Sequence, residues 1–335
     1  MKIAFFELEK WEEGYLKKRL KKHKLFLSNG ELNSRSAKKI RDYEVVVVFI
    51  YSDVTKKILD KLPKLKLIST MSTGFDHIDL AECAKRRIRV CNVPTYGENT
   101  VAEHTVGLIL NLSRKIYDSI HRTKNDNFSL KGLMGFDLRG KTLGVIGPGT
   151  IGQHVIRMAK AFEMKVIAYT PHTDRKLAKR LGFKYVSLNT LLKNSDVVTI
   201  HAPLNKGTYH LINRKNIKLF KKGALLINTS RGGIVDTRAL LYGLDEGILA
   251  GAGLDVLEDE CFIKEERQLL KNKFAKTCDW QNVVREHLLI KKKNVIMTPH
   301  SAFYSKEALM RILDTTVDNI QAFKKKKRRN VVKYV

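Results

Sequence analysis

Four cysteines and six prolines are all that 335 residues contain. Cys83, Cys91, Cys261 and Cys278 form no CxxC pair, and no histidine stands at zinc-ligand spacing from them. That excludes a disulfide scaffold or a zinc module and leaves reduced thiols of a cytoplasmic protein as the plainer reading. So little proline, beside 21 glycines, excludes fibrous and low-complexity chains. No stretch approaches the roughly 18 uninterrupted apolar residues of a membrane span. The opening MKIAFFELEKW has its apolar run broken by Glu7 and lacks a small-residue cleavage site, so it does not read as a secretory signal. Acidic residues are scarce as well, 34 against 63 basic ones, a net charge of +29. Such an excess suits a polyanionic partner. The lysines, however, are scattered over nearly every predicted helix, which favours a composition that is lysine-rich throughout over a nucleic-acid surface.

What is present is ample apolar material, 43% of the residues. It is enough for a sizeable core, in a chain about twice the usual domain length. Short β-branched runs alternate with amphipathic stretches. In the first hundred residues the predicted strands are Ile3–Leu8, Leu25–Ser28, Val45–Ile50, Leu65–Thr70 and Ile88–Cys91, with helical patterns such as Tyr15–Lys22 and Val54–Leu62 between them. Strands separated by helices imply parallel pairing through crossovers. Asn99–Lys124 then reads as one long helix, because Val101, Thr105, Leu108, Leu112, Ile116 and Ile120 recur at helical spacing. After a polar loop, Asn125–Arg139, a second series begins. Its strands are Thr142–Ile146, Lys165–Tyr169, Lys184–Val186, Val197–Ile200, Ala224–Asn228, Gly251–Val256 and Val295–Met297. Two doubly wound α/β domains with parallel sheets are expected. The last helix, Lys306–Phe323, follows the closed second series and is expected to return to the first domain, making it discontinuous. The basic run Lys324–Arg329 reads as a solvated helix end, where cations suit the macrodipole, in preference to a nucleic-acid or membrane patch.

Within Thr142–Gly152, TLGVIGPGTIG, a strand runs into GxGxxG and then into a helical pattern, Gln153–Phe162. In that setting the motif is a dinucleotide fingerprint. Gly147 makes the tight turn, Gly149 admits the pyrophosphate to the backbone, and Gly152 lets helix and strand pack closely. The helix N-terminus offers free N–H groups to the phosphates. At the end of the next strand, where an NAD site usually has Asp or Glu for the ribose hydroxyls, this chain has Thr170, with His172, Arg175 and Lys176 just beyond. NAD is the expected cofactor, and NADP stays open because no carboxylate there repels a 2′-phosphate.

Five further segments occur in order: Ser72–Asp79 (STGFDHID), Asn92–Tyr96 with Val101–Thr105 (NVPTY, VAEHT), Ile227–Asp236 (INTSRGGIVD), Leu254–Glu260 (LDVLEDE) and Thr298–Tyr304 (TPHSAFY). Together they resemble the D-isomer-specific 2-hydroxyacid dehydrogenases, and most closely the D-lactate dehydrogenase branch, over about residues 45 to 320. The resemblance implies a Rossmann-type NAD(P) domain at 100–303, inserted into a flavodoxin-like substrate domain of 1–99 and 304–335. It also implies an active site between the two and a homodimer. His300 is implied as the acid in reduction and base in oxidation, Glu260 as the carboxylate that raises its proton affinity, and Arg231 as the substrate anchor. Thr73 and Gly74 are implied as backbone donors to the substrate carboxylate, with Tyr96 nearby. Asp255 is implied to face the nicotinamide amide. Thr150, Ile151, Ala202, Pro203, Thr208, Thr229 and Ser230 are implied to line the cofactor. His104 and His201 match no catalytic position and are taken as structural or cofactor-side residues.

Chemistry asks for the same residue types. Hydride attack on a 2-keto acid builds negative charge on the C2 oxygen, which a nearby acid must protonate while a fixed cation holds the carboxylate. Histidine titrates near working pH, a neighbouring carboxylate favours its charged form, and the arginine fork matches a carboxylate. Arg231, Glu260 and His300 each follow a predicted strand, on the edge where open α/β sheets bind ligands. One departure stands out: Cys261 follows the acid where the wider family often has proline, and a charged insert, Phe262–Lys293, comes next, expected to be helical lid or surface structure. The expected activity is reduction of a small, pyruvate-like keto acid to the D-hydroxy acid. The alternatives are a glyoxylate or hydroxypyruvate reductase, or a dinucleotide-sensing regulator like the C-terminal-binding-protein corepressors.

Overall fold

The computed structural model describes residues 1–258 and 280–333; Glu260, Cys261, Cys278 and residues 262–279 of the expected insert lie outside the described residues. The chain divides into two compact units, Met1–Tyr96 with Ser305–Val335, and Gly97–Tyr304.

In the first unit β1 (Lys2–Phe5), β2 (Lys24–Leu27), β3 (Val45–Val48), β4 (Leu67–Thr70) and β5 (Arg89–Cys91) form a parallel sheet ordered β2-β1-β3-β4-β5. This is the flavodoxin-like doubly wound order. Every residue of β3 and β4 is buried, as a parallel sheet covered on both faces requires. The register runs Ile3 to Val45, Val45 to Leu67 and Leu67 to Arg89. Helix Lys306–Lys324 packs on β4 and on helix Lys10–Arg19 of this same unit. Its stripe Leu309, Ile312, Leu313, Val317 and Ile320 is buried, at roughly 1.5–3 kcal/mol per large side chain. Asp314 accepts the Tyr15 hydroxyl. Past the helix the Val332 N–H donates to the Val90 carbonyl at 2.9 Å, laying the chain along β5. Arg329 of the basic run pairs at 3.0 Å with Asp318, which lies within the helix before it.

In the second unit the parallel strands are β6 (Thr142–Ile146), β7 (Lys165–Tyr169), β8 (Lys184–Tyr185), β9 (Val197–Ile200), β10 (Ala224–Asn228), β11 (Leu249–Leu254) and β12 (Val295–Met297). Their order is β12-β11-β10-β9-β6-β7-β8, the Rossmann order extended by one strand. It reverses between β6 and β9, so their carboxyl ends flank the crevice where such sheets take ligands. Both expected parallel sheets are therefore present, with strand limits within a few residues of the predicted ones.

The helix expected over Asn99–Lys124 is two helices, Glu98–Arg114 and Ile116–Thr123. Lys115 sits between them at φ 52°. In a continuous helix the Ser113 carbonyl would accept the Tyr117 N–H; here it accepts the Phe136 N–H, at 2.8 Å. The returning loop thus takes the bond that would have propagated the helix. The apolar stripe also ends there. Leu108 and Ile109 are buried, whereas Ile116 and Ile120 are 39% and 52% exposed. Of the expected insert, the described portion contains helix Trp280–Lys291.

Candidate active site

The glycine loop follows β6. Gly147 has φ 85°, and a Cβ there would fall 2.6 Å from the His201 carbonyl oxygen, so no other residue fits. Gly149 is different: nothing in the protein lies within 4 Å of where its Cβ would be. Protein packing does not require that glycine, and the space beside it is open. Helix Thr150–Ala161 starts at this point with no side chain capping its first turn, so its N–H groups face the opening unsatisfied. Ile151 is half-buried and Gly152 buried, as helix-to-strand packing asks. Across the crevice, His201 follows β9. Burial drives its pKa down to about 3. Its Nε2 meets Thr199 Oγ1 at 2.9 Å, and its buried Nδ1 has no hydrogen-bond partner among the described residues. Open space at Gly149, an uncapped helix end and an orphaned ring nitrogen fit a dinucleotide running along this edge.

Ala202 and Pro203 continue from His201. Thr208 folds that loop on itself, its hydroxyl donating to the Pro203 carbonyl at 2.6 Å while accepting the Asn205 N–H at 2.8 Å. Thr170 follows β7 directly, half-buried. The nearest carboxylate beyond it, Asp174, is occupied in capping helix Arg175–Leu181, accepting the N–H groups of Lys176 and Leu177.

β10 delivers the arginine. Its last residue, Asn228, accepts the Ser230 N–H at 3.1 Å and donates its side-chain amide to the Arg231 carbonyl at 2.9 Å. Ser230 donates to the Ile200 carbonyl at 2.6 Å, and Thr229 is buried with its hydroxyl 2.9 Å from that of Thr105. Arg231 is half-buried and gives Nη1 to the Ser230 carbonyl at 2.7 Å. It does not pair with Asp236, whose carboxylate instead caps helix Thr237–Asp245.

β12 delivers the histidine. His300 lies three residues past that strand, half-buried, at φ 53°. The carboxylate of Asp255, one residue past β11, holds this loop. It is 1% exposed. Its Oδ1 accepts the Ser301 N–H at 2.8 Å and the Thr298 hydroxyl at 2.5 Å, and its Oδ2 accepts the Ala302 N–H at 2.9 Å. Because the Thr298 hydroxyl donates to Asp255, it must accept from His104, whose Nε2 is 3.0 Å away; that fixes the His104 tautomer with its proton on Nε2. The roles of Asn228 and Thr298 and the loop-holding part of Asp255 go beyond what the motifs imply. The one signal for Asn228 was a polar residue closing an otherwise apolar strand, ALLIN.

In the first unit the loop after β4 is fixed by its own side chains. The Ser72 hydroxyl donates to the Gly74 carbonyl at 2.7 Å, Thr73 to the Val93 carbonyl at 2.9 Å, and Asn92 to the Thr73 carbonyl at 2.8 Å. These bonds use carbonyls and leave the loop's N–H groups for other partners. Tyr96, half-buried, is the last residue of the unit's first segment.

Residues 106–302 match the family model described as D-isomer specific 2-hydroxyacid dehydrogenase, NAD binding domain. D-lactate dehydrogenase of Escherichia coli strain K12 is 34% identical over 329 residues, covering 97% of each chain. Glyoxylate reductase of Thermococcus litoralis is 36% identical over 294 residues, 86% of this chain and 82% of that one. Among solved structures, a D-lactate dehydrogenase from Aquifex aeolicus, complexed with NAD and lactic acid, superposes with TM-score 0.83 at 39% identity, covering 97% and 96% of the two chains. The chain belongs to the D-isomer-specific 2-hydroxyacid dehydrogenases, on their D-lactate dehydrogenase side, and is an NAD-dependent oxidoreductase.

Proposed function

We propose that the protein reduces a small, pyruvate-like 2-keto acid to its D-2-hydroxy acid, with Arg231, Glu260 and His300 as the catalytic residues. One observation carries the reading: β10 and β12 present an arginine and a histidine on the same sheet edge as the open glycine loop, with the histidine loop anchored by Asp255. When bound, NADH supplies the hydride for C2. Arg231 grips the carboxylate and polarises the carbonyl by its fixed charge. His300 donates a proton to the C2 oxygen in reduction and removes it in oxidation. Glu260 favours the imidazolium form. The N–H groups of Thr73 and Gly74 serve the substrate carboxylate, beside Tyr96.

NAD is the proposed cofactor in preference to NADP. The NAD-bound Aquifex relative supports it, although Thr170 removes the usual carboxylate. Turnover with NADH and NADPH decides the matter, and a hundredfold preference for NADPH overturns it. Glyoxylate or hydroxypyruvate reduction is the second reading, favoured by the similarity to the Thermococcus enzyme. A panel of keto acids followed by cofactor absorbance separates the two. The protein is proposed to act in the cytoplasm, in keeping with its free buried thiols Cys83 and Cys91. It is proposed to be a homodimer, because Tyr117, Ile120, Phe128, Leu130 and Met134 expose large apolar groups within one stretch of the second unit.

The test of the catalytic assignment is His300→Ala. Loss of a general acid lowers kcat by about 10²–10⁴, while NADH affinity stays within about twofold. Turnover equal to that of the wild type refutes the role.

A further inference from the structure

A second titratable pair, separate from the residues assigned above, is built into the same edge of the second unit. His210 stands at φ 48°, a left-handed conformation that strains any residue with a Cβ. Its Nε2 lies 2.5 Å from Oε1 of Glu258, whose side chain is 8% exposed. Oε2 of Glu258 accepts the Thr237 N–H at 3.0 Å and the Thr237 hydroxyl at 2.7 Å. A carboxylate this far out of water needs such donors. Burial alone would push its pKa up, but the hydroxyl and N–H of Thr237, with His210, outweigh that and hold it below the usual range.

These bonds close a ring around the turn that carries Arg231. On one side the His210 N–H donates to the Gly233 carbonyl at 2.9 Å. On the other, Gly232 lies directly against the Leu257–Glu258 backbone, so that any Cβ at 232 would overlap the Leu257 carbonyl and the Glu258 nitrogen. Four residues past Gly233, Thr237 opens the next helix and reaches the same carboxylate. Glu258 is thus the wall against which the residue beside Arg231 packs. Its side chain ties that wall to the loop before the turn and to the helix after it. A glycine at 210 would hold the same backbone without strain, so the imidazole must contribute something that offsets it.

We propose that His210 and Glu258 form a clasp that positions Arg231 for the carboxylate of the 2-keto acid. The proposal rests on the functional reading above. Both are positioning residues and neither touches substrate.

Steady-state kinetics with pyruvate, alongside NADH binding by fluorescence, test it with two variants. His210→Gly keeps the left-handed backbone and removes only the imidazole; Glu258→Ala removes the carboxylate. The expected result is a rise in KM for pyruvate, about threefold for His210→Gly and tenfold or more for Glu258→Ala. The change in kcat is smaller, and the NADH dissociation constant stays within twofold, because the glycine loop is not touched. In an Arg231→Lys background, which already lacks the fork, either change should add less than twofold. An unchanged KM in His210→Gly, or the same factor in the Arg231→Lys background as in the wild type, overturns the clasp. Should Glu258→Ala fail to fold, His210→Gly, which relieves strain, carries the same readouts. A wild-type protein that reduces no 2-keto acid overturns the functional reading itself. An active wild type with unaltered variants overturns the clasp alone.

Discussion

Single residues carry costs that only their surroundings make visible. Glu12 is 6% exposed on the first helix. Burial raises its pKa from 4.5 to about 6, against the opposing Glu9 N–H it accepts. The folded state therefore holds this proton more tightly than the unfolded chain does. The stability that goes with the protonated carboxyl is present in full below about pH 4.5 and is lost as pH rises through about 6. Glu12→Gln keeps an oxygen for Glu9 and removes the charge. At pH 8 it should stabilise by about 2 kcal/mol and at pH 4 by almost nothing, read from denaturant unfolding at the two pH values. Asp255 is a buried carboxylate whose two oxygens accept three hydrogen bonds from the histidine loop. Asp255→Asn turns an amide NH₂ toward backbone donors, leaving at least one of them unsatisfied at about 1–3 kcal/mol. Because those donors belong to Ser301 and Ala302, the histidine loop loosens. The expected outcome is a tenfold or greater fall in kcat, measured beside the unfolding midpoint. Motif matching was enough to mark Asp255, but its bonds to the loop 46 and 47 residues ahead were illegible in sequence.

At the scale of elements, glycine and polar punctuation made the site legible while long-range bonds altered the rest. Gly147 could be assigned from GxGxxG because a strand and a helix flank it, and the structure supplies the reason in its φ of 85° and the His201 carbonyl across from it. Gly147→Ala has to move that backbone. Its expected effect is a tenfold or greater loss of NADH affinity, checked by fluorescence titration. Helical period fails as a guide over the last third of the expected long helix, which is a separate helix. Val101 to Ile120 keeps helical period throughout, and period is a local property. What broke the helix was the Phe136 N–H, arriving from 23 residues downstream of Ser113. The strands are legible in sequence because parallel strands buried on both faces are nearly continuous apolar runs, as in Val45–Val48.

For the molecule as a whole, the charge of +29 and the exposed apolar stretch each call for a test. Basic residues lie on many separate elements, and the terminal run is partly drawn into the fold through Arg329 and Asp318. Any shift of duplex DNA at 50 mM salt should therefore vanish by about 200 mM, as purely electrostatic binding does. Salt-resistant retention would contradict the small-molecule reading. Light scattering should return twice the 38.3 kDa chain mass. The residues alone determined the two α/β series and the cofactor fingerprint, and the resemblance of their motifs to a known family marked the candidate arginine and histidine. Strand periodicity, glycine spacing and side-chain chemistry are local, and a chain displays them before it folds. Tertiary structure alone decided that Asp255 anchors the histidine loop, that Glu258 packs against the arginine turn, and that the helix ends at Lys115. Each of these is a hydrogen bond or packing contact between segments far apart in sequence, and such pairings exist only once the sheets have set the register.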